Sequence, residues 1–130
     1  MAETILIVDD DEDVRAIARQ ALSGRGYIAL ETGDPQEAIR MAKEQRIDLL
    51  LIDVVMPLMK GTELADRVQA VSGSTKVLLM SGYQTSAVTP SGRPFMAKPF
   101  SIDDLARRVR ETLDRASSFA RPSKAPPAAS

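Results

Sequence analysis

Short, uninterrupted runs of branched apolar residues recur along the chain, and they restrict its fold more than any other feature. Four runs, rich in Ile, Leu and Val, cover residues 5–8, 27–30, 49–52 and 77–80. A fifth and shorter candidate, residues 94–97, ends just before Lys98. Strands that are covered on both faces of a sheet show continuous rather than alternating apolar runs. The runs therefore predict five strands in the interior of a parallel sheet.

Amphipathic helical patterns lie between these runs. The first pattern stops at Gly24, and the second begins at the predicted cap Asp34 with Pro35 in its first turn. A third covers residues 61–71, and a last one follows Ser101, another capping residue. Strands that alternate with helices of this size predict an α/β fold, with helices on both faces of the parallel sheet.

The composition excludes several kinds of chemistry. The chain contains neither cysteine nor histidine, so disulfides, thiolate nucleophiles, zinc–sulfur sites and imidazole catalysis are excluded within it. A metal would have to be held by oxygen atoms, which favours a hard cation such as Mg²⁺. The net charge of −1 offers no general attraction to nucleic acid or anionic membranes. No apolar run approaches the roughly 20 residues of a membrane span, and the N-terminus does not resemble a secretory signal. We therefore expect a single cytoplasmic domain.

Polar residues follow four of the five apolar runs. The carboxyl ends of parallel strands meet at one edge of the sheet, where functional groups collect. The first run is followed by the acidic residues 9–13, the third by Asp53, the fourth by Ser81 and the fifth by Lys98. Each alone has an ordinary explanation, as a helix cap, a turn residue or a solvated charge. Their occurrence together at one edge predicts a functional site.

The residue types at this edge favour phosphoryl transfer. The carboxylates of Asp9, Asp10 and Asp53 would repel one another unless a cation relieved the repulsion, and Mg²⁺ suits such a site. Ser81 and Lys98 are donors suited to phosphate oxygens. An aspartate carboxylate can also attack phosphorus and form an acyl phosphate.

Four strings of residues, each at a predicted strand end, resemble the receiver domain of two-component response regulators. They are Ile-Val-Asp-Asp at 7–10, Asp-Val-Val-Met-Pro at 53–57, Met-Ser-Gly at 80–82 and Lys-Pro-Phe at 98–100. The resemblance covers residues 4 to about 115. Among receiver domains, the chain resembles chemotaxis regulators and the receivers of hybrid sensor histidine kinases. It implies a flavodoxin-like fold with strand order 2-1-3-4-5 and Mg²⁺-dependent phosphorylation from a phosphohistidine.

The resemblance also implies roles for individual residues at the metal and the phosphoryl group. Asp53 would be the phosphoacceptor and a metal ligand, and Lys98 would bind the phosphoryl group. Asp10 would ligate the metal directly, and Asp9 would act largely through metal-bound water. Val55 would contribute its main-chain carbonyl to the metal.

Two further residues match the family's switch, and one segment departs from the family pattern. Ser81 matches the switch hydroxyl, and Phe95 matches the aromatic residue that changes exposure. The segment between them is shorter than usual for the family and carries two prolines and a glycine within residues 90–94. Because proline disfavours helix, we expect the fourth helix to be reduced to about one turn near residues 85–88, or absent.

Asp11 leaves two alternatives open. It extends the acidic pair to a longer run, so the sequence does not fix which two aspartates face the metal. Asp9 and Asp11 also have the spacing of the nucleophile motif in Mg²⁺-dependent phosphatases of the haloacid-dehalogenase type, with Asp103 and Asp104 as a later acidic motif. That alternative leaves the string that begins at Asp53 without a role, so we favour the receiver.

The predicted organisation is a receiver domain over residues 1–116, followed by a disordered tail rich in Ala, Pro and Ser over residues 117–130. We expect a phosphoacceptor that promotes its own phosphorylation and dephosphorylation, and no enzyme acting on a separate substrate. The expected partners are a sensor histidine kinase or a histidine phosphotransfer protein, an unidentified downstream protein, and a second copy in a weak homodimer. We expect no DNA-binding output domain within these 130 residues, and we expect the acids after the first strand to repel the phosphate of a flavin.

Overall fold

The architecture comes from a computed structural model of the chain, which describes residues 2–82 and 93–115. The strands are β1 (Thr4–Val8), β2 (Ile28–Thr32), β3 (Leu49–Asp53), β4 (Lys76–Ser81) and β5 (Phe95–Ala97). The helices of this described part are α1 (Glu12–Ser23), α2 (Pro35–Glu44), α3 (Gly61–Val71) and α4 (Ile102–Arg115). Strands and helices therefore alternate from β1 to β4, as the apolar runs predict.

All five strands pair in parallel within one sheet, in the order β2-β1-β3-β4-β5. This confirms the predicted flavodoxin-like order. The register places Val8 beside Ile52, and Asp53 beside Met80. Because these strands end at nearly the same level, the residues that follow them share the carboxyl edge of the sheet.

Three of the four helices in the described part, α1, α2 and α4, begin where the sequence supplies a side-chain cap. The Asp11 carboxylate accepts hydrogen bonds from the amides at the start of α1, and Asp34 does the same for α2, with Pro35 in the first turn. Ser101 Oγ accepts from the amide of Asp104 at 3.0 Å in α4. The helix starts therefore follow from local residue types, and α3 spans the predicted residues 61–71.

Apolar side chains form a layer on each face of the sheet, because successive residues of a strand point to opposite faces. On one face, Leu6 and Leu50 pack with Leu64 of α3 and with small residues of α2. On the other face, Ile7 and Leu51 pack with residues of α1 and α4. The prediction of helices on both faces is thus confirmed. None of the helices in the described ranges has the length and apolar character needed to cross a membrane.

Two of the sequence predictions fall outside the described residues. These are the shortened or absent helix near residues 85–88 and the tail over residues 117–130.

Candidate functional site

Three carboxylates meet at the carboxyl edge of the sheet. Asp9 and Asp10 follow β1, and Asp53 is the last residue of β3. One carboxylate oxygen from each residue lies within 4.8 Å of the other two. Asp9 and Asp53 are buried, whereas Asp10 is exposed. The structure thus brings together the three acids that the sequence singled out.

Lys98 lies between the two buried carboxylates. Its ammonium donates to Asp9 Oδ2 at 2.8 Å and to Asp53 Oδ2 at 2.9 Å. Lys98 directly follows β5, and its amide donates to the carbonyl of Ser81 at 3.0 Å, which continues the pairing of β4 with β5. The Lys98–Pro99 peptide bond is cis. One cation of the chain therefore contacts two of the three acids.

The charges at this site do not balance. Burial raises the pKa of Asp9, and the hydrogen bonds from Lys98 and from the Asp11 amide offset only part of this rise. Burial alone would lower the pKa of Lys98, but its hydrogen bonds to Asp9 and Asp53 raise it above its ordinary value. Three carboxylates thus face one ammonium. The excess negative charge and the oxygen-only donor set fit a hard divalent cation such as Mg²⁺.

A close approach of backbone segments positions Asp53. The amide of Val55 donates to Asp53 Oδ1 at 3.0 Å, and the amide of Gly61 donates to the carbonyl of Val54 at 2.9 Å. A Cβ atom at Gly61 would lie only 2.2 Å from the main-chain oxygen of Asp53. Only glycine therefore allows α3 to begin this close to β3. Our sequence reasoning missed this role, although glycine in a helix is unfavourable enough to be a signal.

The backbone around Asp9 is also held from several directions. The amide of Asp11 donates to Asp9 Oδ1 at 2.9 Å. Arg15 of α1 donates through Nη1 to the main-chain oxygen of Asp9 at 2.7 Å. The Asp11 carboxylate accepts from the amides of Asp13 and Val14, so it caps α1 and is not one of the three clustered acids. Within the acidic run, Asp9 and Asp10 thus lie in the cluster with Asp53, whereas Asp11 serves as a helix cap.

The later acidic motif of the phosphatase alternative, Asp103 and Asp104, lies outside this cluster. Asp103 pairs with Arg25 at 2.9 Å, and Asp104 pairs with Arg107 at 3.0 Å. Both belong to the first turn of α4, where acidic residues complement the helix dipole. Neither joins the three-acid group at the edge of the sheet.

The two predicted switch residues lie in β4 and β5. Ser81 is the last residue of β4, is buried and is paired with Ala97 in the sheet. The Phe95 side chain is buried in the apolar layer that contains Leu79. The main-chain oxygen of Phe95 accepts a hydrogen bond from Arg108 of α4 at 2.5 Å. Phe95 is therefore connected to the sheet through its strand and to α4 through its carbonyl.

The sheet order and the acidic edge together define a flavodoxin-like phosphoacceptor domain, and sequence comparison agrees with this class. Residues 5–110 match the family described as the response regulator receiver domain, and the chain therefore belongs to that family. The predicted resemblance is confirmed.

Relatives and solved structures of several kinds are similar to the chain. The response regulator receiver protein CpdR of Brucella abortus is 32% identical over 114 residues, covering 84% of this chain and 95% of that protein. The response regulator MprA of Mycobacterium ulcerans is 31% identical over 120 residues, covering 88% of this chain and 52% of that protein. The chain thus spans about half the length of the MprA and TcrX regulators that it matches.

Two solved structures show the same architecture. The receiver domain of the hybrid histidine kinase CckA is 39% identical, with a TM-score of 0.74 over 85% of this chain and 98% of that one. The chemotaxis protein CheY4 of Vibrio cholerae is 25% identical, with a TM-score of 0.77 over 86% of this chain and 99% of that one.

Membership of the family gives the general function. Receiver domains are phosphoacceptor signalling domains that bind Mg²⁺ at an acidic pocket and interact with histidine kinases or phosphotransfer proteins. They are generally not enzymes that turn over a separate substrate. In this chain, Asp9, Asp10 and Asp53 form an acidic cluster at the edge of the sheet. The phosphatase alternative is not supported.

Proposed function

We propose that Asp53 is the phosphoacceptor of this domain. Asp53 ends β3, which lies at the centre of the sheet, and its carboxylate is within hydrogen-bond distance of the Lys98 ammonium. Asp9 and Asp10 provide two further carboxylates beside it. The contact of Lys98 with both Asp53 and Asp9 carries this proposal, because it places a donor for phosphoryl oxygens directly at the nucleophile and the acidic pocket.

The phosphoryl group comes from the phosphohistidine of a sensor histidine kinase or a histidine phosphotransfer protein. A carboxylate oxygen of Asp53 attacks the phosphorus, so that an oxygen–phosphorus bond forms while the phosphorus–nitrogen bond breaks. The imidazole of the donor leaves with the electron pair and takes a proton from water. The product is an acyl phosphate on Asp53. Lys98 stabilises the negative charge on the phosphoryl oxygens.

Mg²⁺ would be held by the acidic pocket. Asp10 and Asp53 are the proposed direct ligands, Asp9 acts largely through water, and Val55 contributes its main-chain carbonyl. The bound cation supplies positive charge that offsets the charge of the phosphoryl oxygens during transfer. The same chain residues position water for hydrolysis of the acyl phosphate, so the domain promotes both its own phosphorylation and its own dephosphorylation.

Phosphorylation would change a protein-binding surface. The modification adds close to two negative charges at the edge of the sheet, toward which Lys98 and the Ser81 hydroxyl are drawn. Phe95 is the proposed switch aromatic, and the bond from Arg108 to its carbonyl supports a connection to α4. The proposed surface comprises α4 near Arg107 to Arg110 and the neighbouring edge at Phe95. We further propose a domain over residues 1–116, cytoplasmic function and weak homodimerisation.

Treatment with acetyl phosphate and Mg²⁺ tests the acceptor. We expect the intact mass to increase by one phosphoryl group, and we expect hydroxylamine, which cleaves acyl phosphates, to remove the label. Asp53→Asn should abolish labelling, whereas Asp103→Asn, which alters an exposed acid of α4, should label like the wild type. Labelling at Asp9, together with repeated turnover of an added phosphomonoester, would contradict the proposal.

A further inference from the structure

We propose that Arg15 is a positioning residue that fixes the end of β1, and thereby Asp9 and Asp10, for binding of the divalent cation. This inference rests on the proposed function, because it concerns the same acidic pocket. Arg15 lies in α1 and is one of the residues that our sequence reasoning did not single out. Its side chain is only 17% exposed, although it carries a full charge.

The guanidinium of Arg15 joins the segment that follows β1 to the neighbouring strand β2. Its Nη1 donates to the main-chain oxygen of Asp9 at 2.7 Å, and its Nε donates to Glu31 Oε1 at 2.9 Å. Glu31 belongs to β2, the strand that neighbours β1. The planar fork of arginine lets a single side chain make both contacts in a fixed geometry. Arg15 therefore holds the backbone at Asp9 against β2.

This contact begins where the strand ladder stops. The last paired residues of β1 and β2 are Val8 and Thr32, so no further ladder bond fixes the backbone at Asp9 to β2. The side chain of Asp9 is held by Lys98 and by the Asp11 amide, and a bound cation would compete with Lys98 for that carboxylate. The bond from Arg15 goes to the main chain and is independent of that competition. It can therefore keep Asp9 and Asp10 in place when the cation binds.

Gly33 provides the space for this guanidinium. A Cβ atom at Gly33 would lie 2.7 Å from Nη1 of Arg15 and 3.5 Å from the main-chain oxygen of Asp9. The first distance is a clash with the end of a side chain, and the second is an ordinary contact. Gly33 does not have a positive φ, so alanine is compatible with its backbone. Gly33→Ala should therefore displace the Arg15 guanidinium while leaving the backbone in place.

Arg19 is the matched control for Arg15. Its Nε donates to Glu31 Oε2 at 2.7 Å, so both arginines share one carboxylate and one helix. Arg19 pairs with Glu31, whereas Arg15 pairs with Glu31 and also contacts the Asp9 backbone. Loss of either arginine removes one positive charge from the same region. A difference between the two variants therefore measures the contact with the Asp9 backbone.

The first experiment measures Mg²⁺ binding by isothermal titration calorimetry, with circular dichroism to show that each variant is folded. We expect Arg15→Gln to weaken Mg²⁺ binding about tenfold, near the lower end of the effects seen when partners that orient metal ligands are removed. Arg19→Gln should stay within about twofold of the wild type, since it keeps the Asp9 contact. Arg15→Lys keeps the charge but lacks the fork, so it should resemble Arg15→Gln.

Phosphorylation kinetics provide a second readout. With acetyl phosphate in excess, the labelling rate of Arg15→Gln at saturating Mg²⁺ should be close to that of the wild type, while the Mg²⁺ concentration for half-maximal rate increases. We expect the Mg²⁺ dependence to change without the maximal rate, because Arg15 acts on the cation site and does not contact Asp53. A loss of rate that saturating Mg²⁺ does not restore would overturn the inference.

A double-mutant cycle of Arg15→Gln and Gly33→Ala tests whether the position of the Arg15 guanidinium supports Mg²⁺ binding. Gly33→Ala alone should weaken Mg²⁺ binding nearly as much as Arg15→Gln. In the Arg15→Gln background it should add little, because the group that it displaces is already gone. Additive effects would overturn the inference, as would equal Mg²⁺ affinities for Arg15→Gln and Arg19→Gln. A wild-type chain that fails to bind Mg²⁺ would instead refute the proposed function, so the two failures are distinguishable.

Discussion

The two ends of the sheet differ in whether their polar and charged groups have matching partners. At the amino end, the two carboxylate oxygens of Asp48 accept from the amide of Thr4 at 2.8 Å and from Arg46 at 2.9 Å. Thr75 Oγ1 donates to the main-chain oxygen of Ile47 at 2.6 Å. Each of these groups has a neutral or oppositely charged partner. The polar contacts at this end connect the segments that enter β1, β3 and β4.

At the carboxyl end, acidic groups outnumber their basic partner. Asp9 and Asp53 share the single ammonium of Lys98, and Asp10 adds a third carboxylate nearby. Buried charges are costly unless they are paired, so this end retains a repulsion that a cation would relieve. At the amino end the polar groups are matched, whereas at the carboxyl end the excess negative charge opposes folding until a cation binds. The following predictions test this contrast in order of decreasing effect on stability or binding.

Gly61→Ala should have the largest effect, because its Cβ would meet backbone atoms of Asp53 and Val54. We expect the free energy of unfolding to fall by about 3 kcal/mol, the upper part of the usual cost of overpacking, since backbone yields less readily than a side chain. Gly82→Ala is the control, because its Cβ would meet no atom of the described residues within 4 Å. Urea denaturation measures both. Equal stabilities for the two variants would show that the close approach at Asp53 is dispensable.

Asp10→Asn should remove the stabilisation by Mg²⁺. A ligand that binds only the folded state stabilises it by about 2.7 kcal/mol at a hundredfold excess over its Kd, and this gain should be lost in the variant. Thermal unfolding with and without Mg²⁺ measures the change. Asp13→Asn, which alters an exposed acid outside the cluster, should keep the Mg²⁺ shift. An undiminished shift in Asp10→Asn would mean that the cation is held elsewhere.

Thr75→Val should destabilise the amino end without affecting the site. The substitution removes the hydroxyl that donates to Ile47 and contacts Ser72, and it leaves a buried carbonyl without this partner. We expect a loss of about 1–3 kcal/mol in the free energy of unfolding, with the same Mg²⁺ affinity as the wild type. Urea denaturation and calorimetric titration measure the two quantities. A weakened Mg²⁺ affinity would show that the two ends of the sheet are coupled.

Asp9→Asn should stabilise the Mg²⁺-free protein at neutral pH. Because burial raises the pKa of Asp9, with Lys98 and Asp11 offsetting only part of the rise, the folded state binds a proton where the unfolded chain has lost it. The contribution of Asp9 to stability thus falls as the pH rises from about 3.9 through the raised pKa. The gain in unfolding free energy of Asp9→Asn over the wild type should therefore shrink as the pH falls from the raised pKa toward about 3.9.

Glu31→Gln serves as a control, because the contribution of Glu31 to stability should change with pH in the opposite direction to that of Asp9. Burial alone would raise the pKa of Glu31, but hydrogen bonds from Arg15 and Arg19 lower it. Ionised Glu31 therefore stabilises the fold above its ordinary pKa of about 4.3, and this contribution is lost as the pH falls through the lowered value. Urea midpoints across the acid range measure both variants. Parallel pH profiles for Asp9→Asn and Glu31→Gln would contradict a raised pKa for Asp9 and a lowered pKa for Glu31.

The sheet and most helix bounds could be predicted because their signals are local. Continuous apolar runs and capping residues lie within a few positions of the elements that they specify. β2 is different: its apolar run predicts residues 27–30, whereas the strand covers Ile28–Thr32. The polar residues Glu31 and Thr32 extend it because Arg15, Arg19 and Glu37 of neighbouring helices satisfy their side chains. Such partners are not visible within the run itself.

The site could be predicted only in part, for a similar reason. The convergence of Asp9, Asp53 and Lys98 follows from strand ends that share one edge of a parallel sheet. That Lys98 contacts both acids does not follow, since these partners lie 89 and 45 positions away in the sequence. The role of Gly61 depends on how closely α3 approaches β3, which packing determines.

The bond between Arg108 and the carbonyl of Phe95 has a consequence for self-association. β5 has only three residues and is the last strand in the order of the sheet, so its outward-facing main-chain groups could pair with a strand of another molecule. The guanidinium of Arg108 occupies one of those acceptors and places a positive charge beside the strand. An approaching strand would have to displace this charge before it could pair there, and α4 thus protects the sheet against growth into aggregates from that side.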